Sequence, residues 1–109
     1  MLIRDTLRLF GYTVLEARHG FEAQLIGSQR TNRIDLLVTD VVMPQMSGRE
    51  LADGLMRTHH DVRVLYMSGY TEHAMIDQGI LNSGSCFLQK PFTPEILARK
   101  VRAILDAVK

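Results

Sequence analysis

The segment Leu36 to Gly48, LLVTDVVMPQMSG, decides the fold because a mainly apolar strand runs directly into an aspartate and a polar loop. The stretch from Asp35 to Asp40 has the pattern of a strand that is covered on both faces. Strands of that kind are typical of a parallel sheet between two layers of helices. Asp40 therefore stands at the carboxyl end of a buried strand. The presence of a charged side chain at that position has to be explained.

Strand and helix patterns alternate on both sides of this segment, which predicts an α/β fold with a doubly wound parallel sheet and helices on both faces. The other predicted strands are residues 12–17, 62–67 and 86–89. The predicted helices are residues 2–10, 21–29, 48–59 and 71–81, and a last one that Thr93 caps, with Pro94 in its first turn.

Apolar side chains at helical spacing predict which face of each helix packs inward. The expected inward residues are Ile3, Leu7 and Phe10 in the first helix, Phe21, Leu25 and Ile26 in the second, Leu51, Leu55 and Met56 in the third, and Leu97, Val101, Ile104, Leu105 and Val108 in the last. Gly11 is the expected C-terminal stop of the first helix.

Length and composition predict one compact domain over residues 1–109, since the chain is 46% hydrophobic. A net charge of +1 gives no reason to expect nucleic acid or an anionic membrane as a partner. The single cysteine, Cys86, excludes an internal disulfide. No apolar run approaches the roughly 18 residues that span a bilayer, and no secretory signal is recognisable, so we expect a cytoplasmic protein.

Three chemically active side chains follow three successive strands of the predicted sheet. Asp40 ends the first of these strands, Ser68 follows the second and Lys90 follows the third. The carboxyl ends of parallel strands meet at one edge, where such folds bind ligands. An aspartate can attack phosphorus and hold a phosphoryl group, whose oxygens a hydroxyl and an ammonium can bind. Mg²⁺ would bridge carboxylate and phosphoryl oxygens.

With these residues in place, the chain resembles the receiver domain of two-component response regulators. The resemblance rests on VTDVVMPQMSG at 38–48, YMSGYT at 66–71 and LQKPF at 88–92, and it covers essentially the whole chain. The segments MSGRELA, LYMSGYT and FLQKPFTPE are similar to receivers fused to hybrid sensor histidine kinases. The resemblance implies a flavodoxin-like fold with the sheet order 2-1-3-4-5.

The resemblance also implies a role for each site residue. Asp40 would accept phosphoryl from a histidine of a sensor kinase or a histidine phosphotransfer domain, and the backbone carbonyl of Val42 would join it on Mg²⁺. Ser68 would be the switch hydroxyl, and Phe87 would be the switch aromatic that turns inward with it. Lys90 would pair with the phosphoryl group, and the Lys90–Pro91 peptide is expected to be cis. Met43, Pro44 and Gly48 would shape the loop after the acceptor.

One feature of the family pattern is missing from this sequence. Receivers begin with a central strand that ends in two acidic residues, and those residues hold Mg²⁺ together with the acceptor. This chain begins inside the pattern of the helix that normally follows, so the resemblance implies a receiver domain that is N-terminally truncated relative to the family. No two acidic residues are adjacent anywhere in the 109 residues, and Asp5 lies within the first helical pattern. We therefore expect weakened Mg²⁺ binding.

The missing strand also leaves the sheet with unpaired edges. The 12–17 strand could pair directly with the Leu36 strand, or a second copy could supply pairing by dimerisation or strand exchange.

We expect a phosphoacceptor rather than an enzyme, with at most self-catalysed phosphotransfer and dephosphorylation. The alternative is a phosphorylation-independent module of receiver type that binds a partner protein, which the missing acidic pair favours and the presence of Asp40, Ser68 and Lys90 opposes. A nucleotide or flavin binder is disfavoured because no glycine-rich phosphate loop is present.

Overall fold

The computed structural model describes residues 2–29 and 33–107. It contains a parallel sheet of three strands in the order β1-β2-β3, and the predicted α/β architecture is confirmed. The strands are β1 (Leu36–Asp40), β2 (Arg63–Ser68) and β3 (Cys86–Gln89). The helices are α1 (Ile3–Leu9), α2 (Gly20–Gln29), α3 (Gly48–Met56), α4 (Glu72–Asp77) and α5 (Pro94–Asp106).

The central strand β2 is buried on both faces, since successive side chains of a strand point to opposite sides. Leu65 and Met67 enter an apolar cluster with residues of α1 and α5. Val64 and Tyr66 enter a second cluster on the other face, where α3 and α4 lie. The buried members of the first cluster are Leu7, Leu65, Met67, Leu88, Leu97, Val101 and Ile104. Helices therefore cover both faces of the sheet, as the sequence predicts.

Side-chain caps fix where the helices begin on the carboxyl side of the sheet. The Ser47 side chain accepts a hydrogen bond from the backbone N–H of Glu50, whose carboxylate accepts from the Ser47 N–H, a complete capping box. Thr71 caps α4, and Thr93 caps α5 with Pro94 in its first turn. The prediction that Thr93 caps the last helix is confirmed.

Several helix ends differ from the predicted ones. α3 ends at Met56 rather than residue 59, and α4 ends at Asp77 rather than residue 81. The chain leaves α4 through Gly79, whose φ of +72° ends a right-handed helix. Leu81 is still buried, so the apolar signal that extended the prediction comes from a packed turn. The predicted stop at Gly11 is confirmed by its φ of +91°.

The predicted inward face of α2 is wrong, because Phe21 and Leu25 are 51% and 56% exposed. Its buried residues are Gly20 and Gly27. A Cβ on Gly27 would lie 2.6 Å from a methyl carbon of Leu55 in α3. α2 therefore packs on α3 by close approach of its glycines. Phe10 of the predicted α1 face and Met56 of the predicted α3 face are also exposed.

The predicted strand at residues 12–17 is wrong, because this segment has no regular secondary structure. A β-prone segment forms a strand only when it has a hydrogen-bonding partner. The possible pairing of this segment with β1 does not occur, since β1 pairs only with β2 among the described residues. Tyr12 and Val14 still pack against the cluster of α1 and α5. Dimerisation or strand exchange at the open edge of β1 stays a prediction.

One predicted feature falls outside the described residues, namely Val108 of the predicted apolar stripe of the last helix. Within residues 2–29 and 33–107, no helix is long and apolar enough to cross a bilayer.

We expect Gly48→Ala to lower the free energy of unfolding by about 1–3 kcal/mol, the usual cost of overpacking. A Cβ at this position would overlap the backbone carbonyl oxygen of Asp40, which cannot rotate away as a side chain can. Gly69→Ala is the matched control, because a Cβ there meets nothing within 4 Å. Urea unfolding of both variants checks this, and equal stabilities would show that the loop yields freely around position 48.

Candidate functional site at the carboxyl edge of the sheet

Backbone hydrogen bonds between neighbouring strand ends bring the three predicted site residues to one edge of the sheet. The N–H of Val41, directly after Asp40, donates to the Met67 carbonyl at 2.9 Å. The N–H of Lys90 donates to the Ser68 carbonyl at 2.8 Å. These two bonds continue the register of the β1–β2 and β2–β3 pairings, so the adjacent strand ends carry Asp40, Ser68 and Lys90. The predicted convergence of these residues is confirmed.

Asp40 and Lys90 form an ion pair, with 2.6 Å between the lysine Nζ and the aspartate Oδ1. The two side chains are 43% and 44% exposed, so water reaches both groups. An exposed pair of this kind stabilises a fold by only about 0–1 kcal/mol. The pair therefore matters less for stability than for where it places a carboxylate that a partner molecule can reach. The Lys90–Pro91 peptide is cis, as the resemblance implies.

Ser68 is the buried member of the group, with 8% of its surface exposed. Its Oγ accepts a hydrogen bond from the Tyr70 backbone N–H at 3.0 Å. Among the residues that the structure describes, none accepts a hydrogen bond from the Ser68 hydroxyl. The hydroxyl is held by its oxygen and retains a proton that it can donate to a new acceptor.

The loop after Asp40 is tied back onto the strand end. The Gly48 N–H donates to the Val41 carbonyl at 2.8 Å, and Gly48 lies directly against Asp40. Gln45 has a φ of +70°, an uncommon conformation for a residue with a side chain. Val42 is two-thirds exposed, while Val41 is fully buried. This close turn leaves the Asp40 carboxylate at the surface and anchors its backbone in the core.

Sequence reasoning overlooked Thr39, which helps to hold this turn. Its Oγ1 donates to the Asp40 carbonyl at 3.0 Å and lies 3.7 Å from the Met43 sulfur. Thr39 is buried although it is polar. A threonine inside an otherwise apolar strand was the available signal, because a buried hydroxyl requires a hydrogen-bonding partner.

Phe87 lies on β3 opposite Tyr66 of β2 in the ladder. Its half-buried ring packs against the cluster of α3 and α4, which contains Val41, Ala52, Val64, Tyr66, Met75 and Leu81. The ring is therefore on the same face of the sheet as the residue that follows Asp40.

The donors at this edge do not make a complete site for Mg²⁺. This cation prefers six oxygen ligands and is usually held by one or two carboxylates together with phosphate oxygens and water. Asp40 supplies one carboxylate, and Val42 could add a backbone carbonyl. No cluster of three or more acidic, histidine or cysteine side chains suited to a metal exists in the described ranges. Asp5 is held in α1 by Arg4, with 3.2 Å between their polar atoms.

A family model described as "Response regulator receiver domain" matches residues 1–102 of this chain. Two curated relatives show where such sequences occur. The chain is 40% identical over 96 residues to the "Sensor kinase CckA" of Brucella abortus (strain 2308), covering 88% of this chain and 10% of that protein. It is 34% identical over 108 residues to the "Response regulator MprA" of Mycobacterium ulcerans (strain Agy99), covering 98% of this chain and 45% of that protein. The chain thus spans less than half the length of either relative.

Solved structures show the same fold. The receiver domain of the hybrid histidine kinase CckA superposes with a TM-score of 0.78 at 34% identity, covering 95% of this chain and 86% of that one. The chemotaxis protein CheY4 of Vibrio cholerae superposes with a TM-score of 0.79 at 27% identity, covering 94% of this chain and 85% of that one. These neighbours have a flavodoxin-like arrangement of parallel strands and helices. This chain has the same arrangement, with three strands among its described residues.

We expect Mg²⁺ to bind this 109-residue chain weakly, because one carboxylate and one carbonyl give too few protein ligands. Titration with MgCl₂, followed by the backbone amide signals of Asp40 and Val42, should show only small, non-saturating shifts at millimolar concentration. Asp40→Asn is the control for site-specific shifts. Saturation in the micromolar range in the wild type but not in this variant would contradict the expectation.

Proposed function

The chain belongs to the response regulator receiver domain family, and from that premise we propose that Asp40 accepts a phosphoryl group in two-component signalling. The observation that carries the proposal is the exposed Asp40 carboxylate in contact with Lys90 beside the buried Ser68 hydroxyl. The donor would be a phosphohistidine of a sensor kinase or of a histidine phosphotransfer domain. The protein would act as a phosphoacceptor in the cytoplasm and not as an enzyme that turns over a separate substrate.

The proposed step is an in-line transfer between two nucleophiles. An Asp40 carboxylate oxygen attacks the phosphorus, the P–N bond of the phosphohistidine breaks, and the bonding electrons leave with the imidazole nitrogen. The imidazole takes a proton from water, and the product on the receiver is an acyl phosphate. Lys90, already 2.6 Å from the carboxylate, would bind a phosphoryl oxygen and offset its charge.

The proposed switch follows from the donor that Ser68 retains. A phosphoryl oxygen on Asp40 would accept a hydrogen bond from the Ser68 hydroxyl, which would draw the side chain toward the strand end. Phe87 is half-buried beside the cluster that contains Val41 and would turn further inward into the space that this movement opens. The surface formed by β3 and α5 would then differ between the two states and carry the signal to a partner protein.

Receiver domains of this family generally use Mg²⁺ at the phosphorylation site, but the donors in this chain do not form a complete site for it. The proposed step therefore rests on Asp40, Ser68 and Lys90 alone. We infer that transfer to this chain is slow compared with that to a receiver that has a complete set of acidic ligands.

The relatives favour a place in a phosphorelay. One is a sensor kinase and one is a response regulator, and a receiver forms only a part of each. The receiver domain of a hybrid histidine kinase is among the structural neighbours. We propose that residues 1–109 form one receiver unit with such a role.

We expect the intact mass of the chain to rise by one phosphoryl group after incubation with acetyl phosphate and Mg²⁺, and Asp40→Asn to remain unmodified. Asp35→Asn is the matched control, because Asp35 is an exposed carboxylate that directly precedes the same strand. The Asp35 Oδ1 lies 2.7 Å from the Arg33 Nε. This control should be phosphorylated like the wild type. Lys90→Met should fold and acquire little or no phosphoryl group.

A folded wild type that acquires no phosphoryl group would contradict the proposal. It would favour the alternative, a phosphorylation-independent module of receiver type that binds a partner protein. Modification of the wild type and Asp40→Asn to the same extent would place the reaction on another residue and would also overturn the assignment.

A further inference from the structure

A cleft lies on the face of the sheet that α3 covers, away from the Asp40 edge. Its volume is about 310 Å³, and it is bounded by α3, β2 and the segment that leads into β3. Its lining includes Arg49, Asp53, Tyr66 and Cys86, but not Asp40, Ser68 or Lys90. The volume is at the lower end of the range of about 300–1,000 Å³ for small-molecule sites. This cleft is not part of the proposed phosphoryl chemistry.

Tyr66 is the residue that distinguishes this cleft from an ordinary surface groove. Its side chain is buried, with only 7% exposure, yet its hydroxyl has no hydrogen-bond partner within the described residues. No fully enclosed polar side-chain atom lacks a partner there, so the Tyr66 hydroxyl opens to the cleft. Water reaches this hydroxyl through the cleft, so a ligand that accepts its proton would replace a water molecule there.

The Tyr66 phenol keeps its proton at neutral pH. Burial raises its pKa, the nearby Asp53 carboxylate raises the pKa further, and Arg49 lowers it. The hydroxyl is therefore a hydrogen-bond donor, and both charged groups are close enough to act on it. The cleft wall therefore carries a cluster of polar groups, formed by Tyr66, Asp53 and Arg49.

Arg49 and Asp53 are one helical turn apart, a spacing that favours an ion pair. No ion pair joins them among the described residues. Arg49 instead donates from one nitrogen to the Ile80 carbonyl at 3.2 Å, which leaves most of its five N–H donors available. The Asp53 side chain is exposed. Arg63 also lines the cleft, but its guanidinium donates to the Ile104 and Ala107 carbonyls. Arg49 and Asp53 are the charged groups left to pair with a ligand.

The remaining wall of the cleft is partly apolar. Val62 and Val64, which are buried, and Met56, which is exposed, belong to its lining. An apolar group of a ligand would pack there, while a purely ionic ligand would leave this surface unmatched.

We propose that this cleft binds a free α-amino acid with an apolar side chain. The ligand's carboxylate would pair with Arg49 and accept the Tyr66 proton, its ammonium would pair with Asp53, and its side chain would pack on Val62 and Val64. A lone anion would meet the Asp53 charge, and a lone cation would meet the Arg49 charge. A zwitterion satisfies both, which selects this class of ligand over simple acids and amines.

The position of Tyr66 would connect the occupied cleft to the Asp40 edge. Tyr66 pairs with Phe87 across the β2–β3 ladder, and both pack against the same apolar cluster. A ligand against Tyr66 would therefore restrict the ring that moves in the proposed switch. This connection rests on the proposed function, while binding itself does not depend on Asp40.

Titration of the ¹⁵N-labelled chain with L-leucine, followed by backbone amide shifts, tests the proposal. Saturable shifts are expected at residues 49–56, 62–66 and 82–86. Two probes are matched controls: 4-methylpentanoate lacks the ammonium group of leucine, and 3-methylbutylamine lacks the carboxylate. Each should bind at least about tenfold more weakly, the loss expected when one charged pairing is removed. Equal binding of all three, or saturable shifts confined to other residues, would overturn the proposal.

Variants separate this site from non-specific binding. Tyr66→Phe keeps the ring that packs in the core and should weaken leucine binding by roughly 3- to 10-fold, the range for one lost hydrogen bond. Asp53→Asn should weaken leucine but not 4-methylpentanoate. Arg57→Gln, an exposed change at the end of the same helix, should bind leucine like the wild type. Unchanged affinity in Tyr66→Phe and Asp53→Asn would overturn the proposal.

Asp40→Asn should retain leucine binding, whatever its phosphorylation. Failure of the phosphoacceptor assignment would thus leave this result intact, and failure of leucine binding would leave the phosphorylation experiment unaffected.

Discussion

The burial of β2 on both faces is the constraint on which the rest of this structure depends. Leu65 and Met67 pack toward α1 and α5, while Val64 and Tyr66 pack toward α3 and α4. A strand fixed from both sides cannot shift its register without moving all of its side chains to the wrong face. The two neighbouring strands pair with this fixed strand and take their positions from it.

The chemistry at the carboxyl edge follows from that fixed register. Val41 is bonded to Met67, and Lys90 is bonded to Ser68, so both flanking strand ends are tied to the end of β2. The ion pair of Asp40 with Lys90 then joins the two outer strands across β2. Because this pair is exposed, its contribution to stability is small. The core supplies the rigidity and the edge supplies the reactive groups.

The parts of the fold that depend on local chemistry were predictable from the sequence. The apolar strand that ends in Asp40, the short strand at 86–89 and the Thr93 cap each carry their signal within a few residues. The failures arose where a distant partner decides the outcome. Residues 12–17 are β-prone, but no strand in the described part of the chain pairs with them.

α2 shows a second limit of sequence patterns. Phe21 and Leu25 have the spacing of a core face, but the helix packs through Gly27, which brings its backbone close to Leu55. Hydrophobic periodicity records apolar side chains, so it cannot predict a contact that forms because glycine has no side chain. The Tyr66 cleft was missed for a related reason, because an aromatic residue in a buried strand looks like core until its hydroxyl is found without a partner.

Native-state hydrogen exchange tests most directly the claim that β2, held between two helical layers, suffices to fix the reactive edge. The amides of Val41 and Lys90 bond the outer strand ends to β2, so they should exchange nearly as slowly as the central amides of β2. Slow exchange at all these positions is the predicted result. Rapid exchange at Val41 and Lys90 with protection retained in β2 would contradict the account, since the site would then open independently of the core.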